Sequence, residues 1–142
     1  MKKANTRPSP LTLAVHAGST GDLQFGGLVN PIYTSSAYDY DHLVRYPRYF
    51  NTPNQDAVVK KVAALEDAET GLVFSSGMAT ILTSLFAMVK AGDHIVFQND
   101  LYGGVHSLAL HELNRYGISW SMVDGADPRN FEKAIRKETK VI

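Results

Sequence analysis

Apolar and polar positions follow two different regimes along this chain, and the change falls near Thr52. From there on, short apolar runs alternate with segments of helical spacing. Thr52-Pro53-Asn54-Gln55 has the form of a helix start, with Thr as N-cap, Pro at the first helical position and Gln three residues after the cap. Val58, Val62 and Leu65 recur at helical spacing, with Lys60 and Lys61 to the side. Gly71-Leu72-Val73-Phe74 reads as a short buried strand, Gly77 to Lys90 as a helix closed by Gly92, and His94 to Phe97 as a second strand. A helix follows from Gly104 to Tyr116, with Gly117 in the stop position, then a third strand from Ile118 to Val123. Asp127-Pro128 caps a helix through Lys137, and Thr139 to Ile142 opens as a fourth strand.

Strands separated by helices predict a three-layer α/β domain with a mostly parallel sheet and right-handed crossovers, here over residues 52–142. Ligands of such sheets bind beyond the carboxyl ends of the strands. Residues 1–51 differ. Five of the six prolines lie at or before Pro53, helical periodicity is poor, and five tyrosines are present. This segment reads as an extended arm that orders only by lying on another surface, because each ordered residue costs ~1–2 kcal/mol. Its aromatic content argues against a disordered tail.

Composition narrows the function classes. Acids and bases balance at 14 each, which gives no reason to expect nucleic acid or an anionic membrane as partner. There is no cysteine, so a disulfide framework, a cysteine nucleophile and a thiolate metal site are excluded, and a reducing cytoplasm is the expected location. No apolar run approaches the ~18–20 residues of a membrane span, and no metal site is expected.

Three stretches carry candidate chemistry. In Ser75-Ser76-Gly77-Met78 a strand hands over to a helix. A helix beginning at Gly77 aims free N–H groups and a partial positive charge at whatever lies above the strand, and glycine lets a phosphate approach the backbone. The plain alternative is a serine-capped turn. No dinucleotide or P-loop glycine pattern accompanies it. In "QNDLYGGVHS" the ring of Tyr102 offers a floor for a flat ligand, or merely packs on the domain. In "RYPRYFN" an extended backbone sets Tyr46 and Arg48 on one side of Pro47, where phenol and guanidinium suit a phosphate; the alternative is an aromatic arm with a solvated arginine.

Taken together these stretches resemble the Cys/Met-metabolism family of pyridoxal-phosphate enzymes, the cystathionine γ-synthase-like group. "HAG" and "NPIYTSSAY" are similar to its N-terminal arm, "YPRYFN" to its Tyr-x-Arg clamp, "VAALE" to the following helix, "FSSGMATI" to its phosphate turn and "DLYGGV" to its cofactor-stacking Tyr-Gly-Gly. The resemblance implies the large-domain fold of pyridoxal-phosphate transferases, with pyridoxal 5'-phosphate as cofactor. It implies that Ser76, Gly77 and Met78 hold the cofactor phosphate, and that Tyr102 stacks on the ring and acts catalytically. Tyr46 and Arg48 would reach the phosphate of a neighbouring subunit, in a homo-oligomer built as a dimer of dimers with shared active sites.

Two departures stand out. After the clamp the family usually reads Asn-Pro-Thr, whereas here Asn51-Thr52-Pro53 lengthens the link by one residue. Members that cleave methionine often carry Cys after Tyr-Gly, where this chain has Gly104. The implied activity is β- or γ-elimination or replacement on a small amino-acid substrate of sulfur metabolism. An aminotransferase of the same architecture and a non-catalytic phosphate-binding or assembly module are the alternatives. The family's covalent lysine and pyridine-nitrogen acid have no counterpart among the motifs here, and none of the eight lysines stands in a Ser/Thr-x-Thr-Lys context. The expectation is therefore an N-terminal portion, incomplete in its sheet and inactive alone.

Overall fold

The computed structural model describes residues 7–39, 41 and 44–142. The chain divides after Val73 into two compact units.

In the first unit the arm is laid along one helix. Helix α1 (Pro10–His16) starts where Ser9 Oγ accepts from Thr12 N–H, with Pro10 in the first turn. Helix α2 (Pro53–Glu66) begins at Thr52 with the capping box and N-terminal proline that the sequence predicts. The arm runs beside α2 from its C-terminal end to its N-terminal end. Arg7 donates to the Ala64 carbonyl and pairs with Asp67 at 2.8 Å. Lys61 Nζ donates to the carbonyls of Ala14 and Val15, both at 2.9 Å, satisfying acceptors at the end of α1 that the helix leaves open. At Gly18 (φ 71°) the arm comes so close that a Cβ would stand 2.3 Å from the Ala57 carbonyl oxygen. Asn54 then accepts from Tyr33 N–H and donates to the Pro31 carbonyl.

The sequence predicts extended chain through this arm, and α1 departs from that. Leu11, Leu13 and Val15 alternate with period two and so imitate a strand, while the Ser9-Pro10 start signal is the one the backbone follows.

The second unit is a parallel α/β sheet. Helix α3 (Gly77–Met88) leads to β1 (His94–Gln98), α4 (Gly103–Ser107), β2 (Ser119–Val123), α5 (Pro128–Ala134) and β3 (Thr139–Val141). The strand order is β2-β1-β3, and both neighbours run parallel to β1. The central strand is buried on both faces, with Ile95 and Val96 at 0% and 1% exposure. Leu85, Val89, Leu108, Ala109, Leu113 and Ile118 join Ile95 in one apolar cluster.

Residues 71–74 do not form the predicted strand. The sheet is made of β1, β2 and β3 alone among the described residues, and Leu72 is exposed. A parallel strand has no local hydrogen bonds and gains its ladder only from a neighbour, so apolar content alone does not make one. Three helix boundaries also move. Helix α3 ends at Met88, with Val89 extended, and Gly92 (φ 93°) serves the turn in which the Asp93 carboxylate accepts from Lys90 N–H. After α4 the helical path widens into a π-turn at Leu108–Glu112 and tightens into a 3-10 turn at Leu113–Tyr116, closed by Gly117 in the left-handed region as predicted. Helix α5 stops at Ala134 rather than at Lys137, and Arg136 is held in a turn by its N–H bond to Thr139 Oγ1.

His94 binds the three strands together by its side chain. The ring has no exposed surface, and its Nδ1 lies 2.8 Å from Thr139 Oγ1 on β3 and its Nε2 2.9 Å from Ser121 Oγ on β2. A neutral ring satisfies every group: Thr139 accepts from Arg136 N–H and donates to Nδ1, and Nε2–H donates to Ser121. Burial first, and then the Arg136 charge, lower the imidazole pKa, with Glu138 opposing them.

The unfolded chain therefore takes up a proton before the folded one does. This stability is complete above the ordinary imidazole value of about 6.5 and is lost as pH falls through it toward the lowered folded value. Urea midpoints of the full-length protein should drop between about pH 7.5 and about pH 5.5, and drop less in His94→Asn. Equal slopes in the two proteins would remove this role from His94.

The start of α3 gives a second test. Ser76 Oγ accepts from Ala79 N–H at 3.1 Å, whereas Ser75 is exposed and makes no such bond. Ser76→Ala should cost about 0.5–2 kcal/mol of unfolding free energy, and Ser75→Ala less than about 0.5 kcal/mol. Equal losses in urea titrations would contradict the cap assignment.

Candidate functional site

The carboxyl end of β1 delivers residues 99–102, and the next helix begins at Gly103 with Tyr102 as its N-cap. Tyr102 is fixed through its carbonyl, which accepts from Val105 and His106 N–H at 2.9 and 3.0 Å. Its side chain is otherwise open, with the residue 73% exposed. The turn into α3 lies in the same unit. Ser76 caps it, and Thr80 N–H donates to the Ser76 carbonyl. Ala79 and Thr80 thus use their N–H groups inside the protein. Among the described residues those of Gly77 and Met78 have no acceptor, and they stand at the positive end of a 12-residue helix. A Cβ on Gly77 would meet nothing within 4 Å, so the backbone there is open to close approach.

The two turns meet at Gly104. A Cβ placed on Gly104 would stand 2.8 Å from Tyr102 Cε1 and 2.9 Å from Met78 Sδ. Gly104 thus brings Met78 and Tyr102 together, a junction that no pattern in the sequence announces. Ser76, Gly77 and Met78 offer a hydroxyl and backbone donors, Tyr102 offers an exposed ring, and the Met78 side chain is the link between them.

Tyr46 and Arg48 lie in the first unit. Tyr46 is extended (φ -158°, ψ 138°), but the chain turns directly after it, so the extended path that the sequence predicts stops before Arg48. Pro47–Tyr49 forms a 3-10 turn, Tyr46 is its N-cap, and Phe50 follows in the left-handed region at φ 57°. Proline at the first position suits such a turn as well as it suits a strand, and an extended Tyr46 followed by turn residues no longer shares a side with Arg48 by alternation. The Tyr46 ring packs edge-on against Tyr49, with centroids 5.4 Å apart. Arg48 is exposed and, among the described residues, makes no hydrogen bond or ion pair.

Two residues without a predicted role hold this turn. Asn51 accepts from Tyr46 N–H at 2.9 Å and donates to the Val44 carbonyl at 2.8 Å. Arg45 pairs with Asp56 at 2.8 Å and also donates to the Asn51 carbonyl. The only signal for them is position, since both flank the Tyr-x-Arg stretch.

Among the described residues no group of His, Asp and Glu side chains is placed to hold a metal ion, and no helix is long and apolar enough to cross a membrane.

Known proteins match this arrangement over nearly the whole chain. The chain is 38% identical over 135 residues to a cystathionine gamma-lyase of Bacillus subtilis, covering 92% of this chain and 35% of that protein. It is 34% identical over 143 residues to an L-methionine gamma-lyase of Fusobacterium nucleatum, covering 92% of this chain and 36% of that protein. The solved structure of cystathionine gamma-lyase from Lactobacillus plantarum, complexed with L-serine, superposes with a TM-score of 0.84 at 32% identity, over 94% of this chain and 36% of that one. The chain thus spans about a third of the length of these relatives. The family model described as Cys/Met metabolism PLP-dependent enzyme matches residues 11–142, and the chain belongs to that family.

Proposed function

We propose that the protein carrying this chain is a pyridoxal-phosphate-dependent enzyme of sulfur amino acid metabolism. It would catalyse β- or γ-elimination or replacement on an O-acylated homoserine, cystathionine or a related amino acid. The observation that carries the reading is the pair of unspent N–H groups at Gly77 and Met78 beside the exposed Tyr102 ring, in a chain of a pyridoxal-phosphate-dependent family.

These residues fit the cofactor by their donor chemistry. Two backbone N–H groups at a helix N-terminus suit a phosphate. The Ser76 oxygen accepts from Ala79 N–H, which leaves its O–H free to donate as a third contact. Tyr102 presents a ring face to a flat heterocycle and a phenol to a substrate amine. When bound, pyridoxal phosphate supplies an electron sink for breaking bonds next to the substrate α-carbon. The chain's own contributions are to grip the phosphate, to orient the ring, and to hold or pass a proton at the Tyr102 hydroxyl.

The arm supports a shared site. Leu23 and Leu28 are 96% and 91% exposed, and Phe25 and Ile32 are also exposed. A contiguous stretch of this kind asks for cover. We assign that cover to a neighbouring subunit of a homo-oligomer, a dimer of dimers, whose cofactor phosphate Tyr46 and Arg48 would reach. The cysteine-free composition fits the cytoplasm.

Two measurements test this reading in the full-length protein. Tyr102→Phe keeps the ring and should retain the cofactor while losing turnover, and Tyr102→Ala should lose both. Equal cofactor loss in the two variants would remove the stacking role.

Arg48→Ala should weaken cofactor retention about ten- to a hundred-fold, the worth of one charge-assisted contact to phosphate. Mixing Arg48→Ala subunits with Tyr102→Phe subunits should restore part of the activity, because one site of a mixed dimer then carries neither defect. Absence of complementation would place the clamp in its own subunit or nowhere.

A further inference from the structure

We infer that the Met78 thioether and the bare Cα of Gly104 form a seat that sets the tilt of the Tyr102 ring, so that Met78 is a positioning residue acting by its side chain. This deepens the proposed function and rests on it only for its consequence in cofactor binding; the seat itself is a property of the free protein.

The geometry is specific. Tyr102 Cε1 and Cδ1 lie 2.8 and 3.3 Å from the point where a Gly104 Cβ would be, and Met78 Sδ lies 2.9 Å from the same point. Ring edge and sulfur therefore lean into one small volume that only glycine leaves empty. Sulfur at the edge of an aromatic ring is a favourable contact, and methionine fits irregular gaps. The seat is also anchored. Met78 is half-buried, the second residue of α3, and packs against the apolar cluster containing Leu85, Ile95 and Leu108. Gly104 is the second residue of α4, and the adjacent Val105 is buried. Without this support an aromatic side chain on an N-cap that is 73% exposed has nothing to select one rotamer.

The consequence is a division of labour within one residue. The backbone N–H of Met78 faces the phosphate position, while its side chain fixes the ring that would lie over the heterocycle. Orientation of the ring is then coupled to the helix end that binds the anion. Substitution at Gly104 and truncation at Met78 should disturb the ring in different ways. A new Cβ pushes it off the seat, and removal of the thioether leaves it unsupported.

The test uses 3-fluorotyrosine placed at position 102 of the full-length protein without cofactor, read by 19F NMR. The native protein should give a line displaced from that of the free amino acid. Met78→Ala should move it toward the free position, Gly104→Ala should displace it differently, and Met78→Leu, which preserves side-chain bulk, should stay near the native line. Circular dichroism confirms that each variant is folded. A line unchanged in folded Met78→Ala overturns the seat.

Pyridoxal phosphate is then added to each variant. Binding should weaken about two- to ten-fold in Met78→Ala, with most of it recovered in Met78→Leu. A seat seen in the free protein, with no response of the 19F line to pyridoxal phosphate in any variant, supports the seat while the proposed function fails. A response of the native line with identical affinities in all variants overturns the positioning role while the proposed function stands.

Discussion

The candidate site depends on one apolar contact, the packing of α3 and the helix after Tyr102 against the central strand. Ile95 and Leu113 have no exposed surface, and Leu85, Leu108 and Ala109 close around them. Each such leucine or isoleucine contributes roughly 1.5–3 kcal/mol on burial. The geometric effect matters more for function. Because α3 and the helical turns that continue α4 share this cluster, the start of α3 and the start of α4 are held at a fixed separation, and Met78 meets Tyr102 across Gly104. A surface of backbone donors and a ring face acts together only if that separation is fixed, since a misplacement of about 1 Å undoes pre-organised contacts.

The two ends of the sheet are built on different physics. At the carboxyl ends of the strands, polar groups are left unspent and a tyrosine is left exposed. At the opposite end several polar groups are paired with one another. His94 joins Thr139 to Ser121, Arg136 donates to Ser119, and Ser119 Oγ donates to the Asp93 carbonyl. A buried polar network of this kind helps fix strand register, because a one-residue slip would leave the imidazole without partners in a site where unpaired groups are costly. The open end can then keep its donors available without the sheet losing its alignment.

What the sequence disclosed follows the range of the forces involved. Local signals were legible. The Thr52-Pro53-Gln55 start, the Ser76 cap, Gly117 at the left-handed position and the Asp127-Pro128 start depend on residues within one turn of each other. The parallel α/β order followed from the alternation of helix and strand. Features that need a distant partner were not legible. Residues 71–74 have the apolar content of a strand but are not strand in the described structure. Of the proposed site residues, Gly77 is readable from a helix start that exposes its own N–H groups, and Met78 comes from the family resemblance. The seat at Gly104 was not legible, because it joins residues 26 positions apart through space. The turn at Pro47 shows a third kind of limit: one residue type is compatible with two conformations, and the Asn51 and Arg45 hydrogen bonds decide between them.

The first unit reaches order by other means. Among the described residues, Ala63 is the one buried apolar side chain that belongs to it, and Val58, Val62 and Leu65 on α2 stay about half exposed. The arm is held instead by carbonyls and charges: Arg7 with Asp67 and the Ala64 carbonyl, Lys61 with the end of α1, Asn54 with Pro31 and Tyr33. Exposed ion pairs contribute only about 0–1 kcal/mol each, and a typical hydrogen bond about 1 kcal/mol, while each ordered residue costs about 1–2 kcal/mol. These bonds specify the path of the arm better than they stabilise it. An arm with a defined path and bare leucines would therefore gain most of its stability from any surface that covered it. A cover supplied by another subunit would make arm ordering and assembly a single event, and the Tyr46–Arg48 turn would be formed where the subunits meet.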